Sequence, residues 1–124
     1  MKINVYHASP VLFESFNMQE QGLHFGPFES AIEAVSRKLD QSGETAFYLY
    51  SVLIDTSSFI EEIDHGYDWQ NVFKHEPERI KGYVYQNRYE PASRKSYVTW
   101  HPSIIEIKNV EKMDIDDFDI DCIF

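Results

Sequence analysis

Residues 45–55, TAFYLYSVLID, are rich in aromatic and β-branched side chains, and this composition predicts a largely buried strand. The segment before it has a different period. Ser30 and Glu33 have the spacing of a capping box, and the apolar residues that follow recur on one helical face, which predicts a helix over about 30–40. The polar stretch around Gly43 ends this helix. The chain therefore places an amphipathic helix directly before a buried strand.

Strand-like segments also lie towards both ends of the chain. The first is KINVYHAS, in which Ile3, Val5 and His7 share one face. A histidine on an apolar face needs a hydrogen-bond partner, which is either structural or a ligand. Three closely spaced strands are predicted late in the chain, over 82–86, 95–100 and 103–110.

The segments between these strands are less regular. Residues 10–21 lack a clean period and are predicted to be an irregular connection, whereas 56–81 are predicted to hold helical turns around Phe59 and around Trp69. The final stretch, EKMDIDDFDIDCIF, alternates acidic and apolar residues, which favours an edge strand with one wet face over a special acidic tail. Strands and helices are thus segregated, and we expect one α+β domain over 1–124 with mostly antiparallel pairing.

Composition narrows the classes of function. The net charge of −10 argues against unaided binding to nucleic acid, whose phosphates would be repelled. It is compatible with solubility alone, with a basic protein partner or with mimicry of nucleic acid. No apolar run has the length of a membrane span and no signal-peptide pattern begins the chain, so we expect a soluble, cytoplasmic protein that does not bind membranes. The lone Cys122 is expected to be an ordinary thiol.

Several familiar catalytic and metal-binding motifs are absent from the sequence. It contains no GxxxxGK[ST] phosphate loop, no GxGxxG turn and no GxSxG elbow. The five histidines lack HExxH or paired-cysteine spacing, so no metal site is predicted. Asp64, His65 and Asp68 are close enough in sequence to hold a metal ion, but a polar loop is the preferred interpretation.

Three stretches, taken in order, carry a family resemblance. YHAS ends the first strand, GLHFG (residues 22–26) precedes the helix, and YVYQNRYEPASRKSYVTWHPSII closes the pattern. Together they resemble the ADP-ribosyltransferase-like superfamily, which includes diphtheria-type toxins, poly(ADP-ribose) polymerases and small phage and bacterial transferases. The resemblance implies two mostly antiparallel sheets with a cleft between them and a few flanking helices.

The resemblance also implies NAD as co-substrate and a set of site residues. His7 would hydrogen-bond a ribose hydroxyl of NAD, and the small Ala8 beside it would let the backbone meet the nicotinamide amide. Glu90 would hydrogen-bond the 2′-hydroxyl of the nicotinamide ribose and stabilise the oxocarbenium character that develops as nicotinamide leaves. The catalytic residues so implied are Glu90 and His7. The cofactor-binding residues so implied are His7, Ala8, Ser9, Gly22, His24, Phe25 and Phe28.

The sequence departs from the family pattern at several positions. Ala8 replaces the usual glycine after the histidine, and His24 stands where many members carry a tyrosine. Ser96 occupies the position where poly(ADP-ribose) polymerases place their glutamate. By the same resemblance Arg88 would take the place of a residue that selects the acceptor side chain.

Two functions from different classes follow. The first is an NAD-dependent mono-ADP-ribosyltransferase, of phage or toxin type, that modifies a macromolecular target protein. The second is a non-catalytic acidic binding or inhibitor protein that docks on a basic partner, built on a degenerate NAD-binding fold. The net charge and the DIDDFDID alternation favour the second.

Overall fold

The computed structural model describes residues 1–87 and 94–118. These ranges form two β-sheets and two α-helices, which confirms the predicted α+β class. Neither helix in the described ranges is long and apolar enough to cross a membrane. In chain order the elements are β1 Lys2–Ser9, β2 Leu23–Phe25, α1 Phe28–Ser42, β3 Ala46–Asp55, β4 Phe59–Glu62, α2 Trp69–Lys74, β5 Gly82–Tyr85, β6 Ser96–Thr99 and β7 Ile105–Asp114.

The first sheet has the order β1-β3-β7, and both pairings are antiparallel. The central strand β3 has partners on both sides and is covered on both faces. On one face, Phe47 and Leu49 pack against the apolar stripe of α1. On the other face, Tyr50 and Val52 pack against side chains of the second sheet. This two-sided burial explains why the segment 45–55 has so few polar residues.

The second sheet has the order β2-β6-β5-β4. All its pairings are antiparallel except that of β4 with β5, which is parallel. The helical turn predicted around Phe59 is therefore wrong. The Phe59 ring lies directly over Gly82, where an added Cβ would come within 2.3 Å of the ring, and it also contacts Tyr97. Packing on a bare glycine backbone in the neighbouring strand thus prevails over a weak helical period.

The helix α1 is confirmed, but its predicted start is wrong. It begins at Phe28 after Pro27, with no side-chain cap, so Ser30 lies inside the helix. Glu33 is buried and pairs with Arg94, whose Nη1 lies 2.9 Å from Glu33 Oε1. The capping-box spacing is therefore coincidental. The helix ends as predicted at Gly43, which has a φ of +75° and donates its N–H to the carbonyl of Leu39.

The last strand joins two segments that were predicted separately. β7 runs without interruption from Ile105 to Asp114 and pairs with β3 only, so it is an edge strand. Its burial pattern is mostly exposed, as the predicted wet face requires. Residues 119–124, including Cys122, lie outside the described residues.

The two sheets meet at one backbone bridge. The N–H of Tyr6 donates to the carbonyl of Gly26 at 2.8 Å, and the N–H of Gly26 donates back to Tyr6 at 3.2 Å. The bridge attaches the end of β2 to the middle of β1. It therefore brings the first histidine-containing strand, β1, beside the second, β2.

Candidate functional site

A cavity of about 620 Å³ lies at this junction of the two sheets. Its walls come from β1, β2, the connection 10–21, one side of α1 and the ends of β5 and β6. Six of the predicted site residues line it together: His7, Ala8, Ser9, Gly22, His24 and Phe25.

His7 is held in one orientation by β2. Its Nδ1 lies 3.1 Å from the backbone carbonyl oxygen of His24, which can only accept, so Nδ1 carries the proton. Burial lowers the pKa of His7, and the hydrogen bond to His24 only partly opposes that effect. The imidazole is therefore neutral near pH 7. No group in the described part of the chain hydrogen-bonds Nε2, whose lone pair can accept a hydrogen bond from a ligand hydroxyl.

Four aromatic rings surround this imidazole and prevent it from turning. Their centroids lie between 5.4 and 6.4 Å from that of His7. Phe13 stacks on Tyr50 at 4.2 Å, and the Tyr50 hydroxyl both accepts from the N–H of Phe13 and donates to its carbonyl. Tyr50 thus fastens the connection 10–21 over His7. The rings are Phe13, Phe16, Phe25 and Tyr50.

The two small residues after His7, Ala8 and Ser9, have structural roles beside the cavity. Ala8 is buried and packs in the cluster that α1 forms with the first sheet. Ser9 ends β1, and its Oγ accepts a hydrogen bond from the N–H of Val11 at 3.1 Å, which turns the chain away from the sheet. Both residues line the cavity, and neither adds a charge to it.

His24 has a different role from His7. Its Nε2 donates to the carbonyl of Gln21 at 2.7 Å, so its Nδ1 accepts from the hydroxyl of Tyr85, also at 2.7 Å. Burial lowers the pKa of His24, with the bond to Gln21 opposing that effect, and the ring stays neutral. Both nitrogens are therefore occupied within the protein. His24 contributes to the site chiefly by positioning His7 and Tyr85.

The remaining predicted cofactor residues differ in where they lie. Gly22 has a φ of +87°, and a Cβ there would come within 2.4 Å of Val98 Cγ2, so packing alone requires glycine. Phe25 is 3% exposed and forms part of the cavity wall. Phe28 is not brought to the cavity. Its ring packs on Tyr6 and Phe118 at centroid distances of 5.8 and 5.9 Å.

The predicted catalytic carboxylate, Glu90, lies in the segment 88–93, outside the described residues, as does Arg88. Its position relative to His7 stays a prediction. The described residues on either side of that segment include Asn87 and Ser96, and both line the cavity. Ser96 is buried at the start of β6.

Two cations at the cavity were missed by sequence reasoning. Arg37 and Lys38 lie on the exposed side of α1 and line the cavity, whose described lining contains no Asp or Glu. A signal was present, because these are the only lysine or arginine residues between Lys2 and Lys74. Two cations without a carboxylate, in a protein of net charge −10, favour an anionic ligand.

A second cavity, of about 410 Å³, adjoins the first. The two share three lining residues: His24, Tyr85 and Asn87. The other side of the second cavity comes from the turn after β4 and from the start of α2. That side consists of Asp64, His65, Gly66, Tyr67 and Trp69.

The turn beside the second cavity has a structural explanation that does not involve a metal ion. Asp64 Oδ1 accepts the N–H of Gly66 at 2.9 Å, and the His65 ring packs edge-on against Trp69 at 4.9 Å. Within residues 1–87 and 94–118, no group of three or more His, Cys, Asp or Glu side chains could hold a metal ion. The hydrogen bond and the ring contact hold this turn in place.

No protein-family model, curated protein or solved structure matches this chain.

Proposed function

We propose that this protein is an NAD-dependent mono-ADP-ribosyltransferase with an ADP-ribosyltransferase-like fold. It transfers ADP-ribose from NAD to a macromolecular target. One observation carries the proposal: a neutral, rigidly held His7, whose Nε2 has no hydrogen-bond partner among the described residues, lines a cavity whose described charges are both positive. Six residues named from the sequence resemblance also meet in that cavity.

The chemistry of NAD suits this lining. Nε2 of His7 would accept a hydrogen bond from a ribose hydroxyl, which needs a neutral imidazole as acceptor. Arg37 and Lys38 would face the pyrophosphate, whose two negative charges match the local positive charge. Aromatic walls such as Phe25 would cover the nicotinamide ring. The volume of about 620 Å³ lies in the usual range for ligand cavities.

The proposed reaction exchanges one bond for another at C1′ of the nicotinamide ribose. The C1′–N bond breaks, and its electron pair leaves on nicotinamide. A nucleophile of the target forms the new bond to C1′ and releases its proton to solvent. Glu90, in the role that the resemblance implies, would accept a hydrogen bond from the 2′-hydroxyl and stabilise the developing positive charge. Loss of such a group costs about 10²–10³ in rate.

The test uses NAD labelled in its adenine ring, so that the label follows ADP-ribose. Wild-type protein, Glu90→Gln and Glu111→Gln are each incubated with labelled NAD and cell lysate. Glu111 is an exposed carboxylate on β7 and serves as the matched control. We expect label transfer and nicotinamide release with wild type and Glu111→Gln, and a loss of about 10²–10³ with Glu90→Gln. Wild-type protein that neither transfers label nor releases nicotinamide would contradict the proposal.

A second candidate is a non-catalytic acidic protein that docks on a basic partner. The observation that favours it is residues 55–73, which carry five carboxylates and no lysine or arginine. A salt-sensitive complex with a basic protein that survives the double substitution His7→Ala and Glu90→Gln would support it. Failure to recover any basic partner at low ionic strength would contradict it.

A further inference from the structure

Glu33 and Arg94 form the most buried ion pair between a carboxylate and a lysine or arginine in the described ranges. Arg94 Nη1 lies 2.9 Å from Glu33 Oε1, and the two side chains are 23% and 11% exposed. In the pair Lys95–Glu61, by contrast, both side chains are more than half exposed. Taking two charges out of water costs free energy that their attraction recovers only in part, so stability by itself does not explain why the chain buries this pair.

The pair connects two walls of the first cavity. Glu33 lies on α1 directly before Ala34, which lines the cavity. Arg94 lies two residues before Ser96, which lines it from the start of β6. Neither Glu33 nor Arg94 is itself among the described lining residues. Because Glu33 carries a charge close to this cavity, the way that charge is paired affects the potential that a ligand meets there.

Glu33 also has a second cation within reach on its own helix. Arg37 follows it by four residues, and a glutamate four residues before an arginine is the favourable order for an ion pair on a helix, with Cβ atoms about 6 Å apart. Within residues 1–87 and 94–118, Arg37 nevertheless makes no ion pair, and it lines the first cavity. The carboxylate of Glu33 is held by Arg94 instead, in a short charge-assisted hydrogen bond.

We propose that Arg94 keeps Arg37 available to an anionic ligand of the first cavity by occupying the carboxylate that would otherwise pair with Arg37. Glu33 and Arg94 are thus positioning residues, which act on the ligand through Arg37. Without Arg94, the Glu33 carboxylate draws the Arg37 guanidinium along the helix and leaves its own negative charge less balanced beside the ligand. That the ligand anion is the pyrophosphate of NAD rests on the proposed function.

The test measures NAD binding without a target, so that it does not depend on transfer. Calorimetry at low ionic strength compares wild-type protein with Arg94→Gln, Glu33→Gln and the double variant that carries both substitutions. Lys95→Gln is the matched control, because it removes the same charge one residue away and Lys95 lines neither cavity. Circular dichroism confirms that each variant is folded.

We expect Arg94→Gln to raise the Kd for NAD about tenfold, because Glu33 then pairs with Arg37. Adding Glu33→Gln removes the competing carboxylate and should return the Kd to within about twofold of wild type. Glu33→Gln alone should bind NAD at least as tightly as wild type. Lys95→Gln should change the Kd less than about twofold, since its ion pair is exposed.

The double variant separates this competition from a structural role. If the pair only held α1 against β6, the double variant would bind NAD as weakly as Arg94→Gln, and that result would overturn the proposal. An unchanged Kd in Arg94→Gln, or a Kd raised several-fold in Glu33→Gln, would overturn it as well, and Glu33→Gln decides the question should Arg94→Gln not fold. Wild-type protein that does not bind NAD would overturn it together with the proposed function. The expected pattern without any release of nicotinamide would leave the role of Arg94 standing and refute the transferase.

Discussion

The two cavities share a wall and differ in charge. The described lining of the first contains Arg37 and Lys38 and no carboxylate, whereas that of the second contains Asp64 and no lysine or arginine. The net charge of −10 describes neither cavity by itself. The screening length in physiological salt is about 8 Å, so a bound ligand senses the charges of the local lining more than the net charge of the protein. The two described linings therefore present opposite charges on either side of one shared wall.

The two histidines of the first cavity differ in a parallel way. His24 uses both ring nitrogens within the protein, while His7 uses one and keeps the other as an acceptor. Both are neutral for the same reason, burial. A buried histidine is therefore structural when both of its ring nitrogens have partners within the protein. It can bind a ligand when one of them does not.

The largest expected effect is a loss of stability at Gly22, which lines the first cavity beside the second sheet. Gly22→Ala should lower the free energy of unfolding by about 2–5 kcal/mol, because a Cβ at positive φ would also come within 2.4 Å of Val98. Gly43→Ala is the control, since φ is positive there but nothing lies within 4 Å, and it should cost about 1 kcal/mol. Urea unfolding measures both. Equal costs would show that packing at Gly22 does not hold the cavity wall.

The next effect is a dependence of stability on pH that arises from the two buried histidines. Burial holds the pKa of His7 and of His24 below the ordinary value, so the unfolded chain takes up protons first as the pH falls. Their contribution is complete above the unfolded pKa of about 6.5 and is lost as the pH falls from that value towards the lower pKa of the folded state, at up to about 1.4 kcal/mol per pH unit for each ring.

The variant His7→Gln isolates one of these contributions. Its free energy of unfolding should run parallel to that of wild type between about pH 7.5 and 8.5 and should fall less steeply between about pH 6.5 and 5. Denaturant unfolding at each pH gives both curves. Parallel curves down to about pH 5 would mean that His7 titrates in the folded state as it does in the unfolded chain.

The opposite charges of the two cavities predict a specific loss of affinity. Under the proposed function, the double substitution Arg37→Gln and Lys38→Gln should weaken NAD binding about tenfold, because the pyrophosphate would lose its cations. Thermal shift against NAD concentration measures this. Lys112→Gln on β7, outside both cavities, should leave the affinity unchanged. An unchanged affinity in the double variant would show that the charges of Arg37 and Lys38 do not contribute to NAD binding.

The smallest expected effect is a loss of stability in the connection 10–21, which lies over the first cavity. Tyr50→Phe removes the hydroxyl that holds both backbone groups of Phe13 and should cost about 1 kcal/mol while the ring stacking persists. Tyr48→Phe is the matched control, because its hydroxyl makes no hydrogen bond within the described residues. Hydrogen exchange at Phe13 should rise in the first variant only. Equal exchange in both would mean that Tyr50 does not fasten this connection.

Much of the fold could be predicted from periodicity. The strand 46–55, the body of the helix and the strands β5 and β6 are as expected. The errors share one cause. Phe59 lies in a strand because it packs on Gly82, and Glu33 is not a capping residue because it pairs with Arg94. Each error depended on a partner that is distant in sequence.

The candidate site, like the fold, could be predicted only in part from the sequence. The amino-acid sequence alone indicated which residue types mattered, since a histidine at a strand end followed by two small residues is a local pattern. It could not say which nitrogen of His7 stays open, that His24 would be fully paired, or that two cations of α1 would line the same cavity. Those outcomes depend on the bridge between Tyr6 and Gly26 and on the crossing of two sheets. Local patterns set the elements because they act within a few residues, whereas burial, charge and hydrogen-bond partners are set only when distant segments pack together.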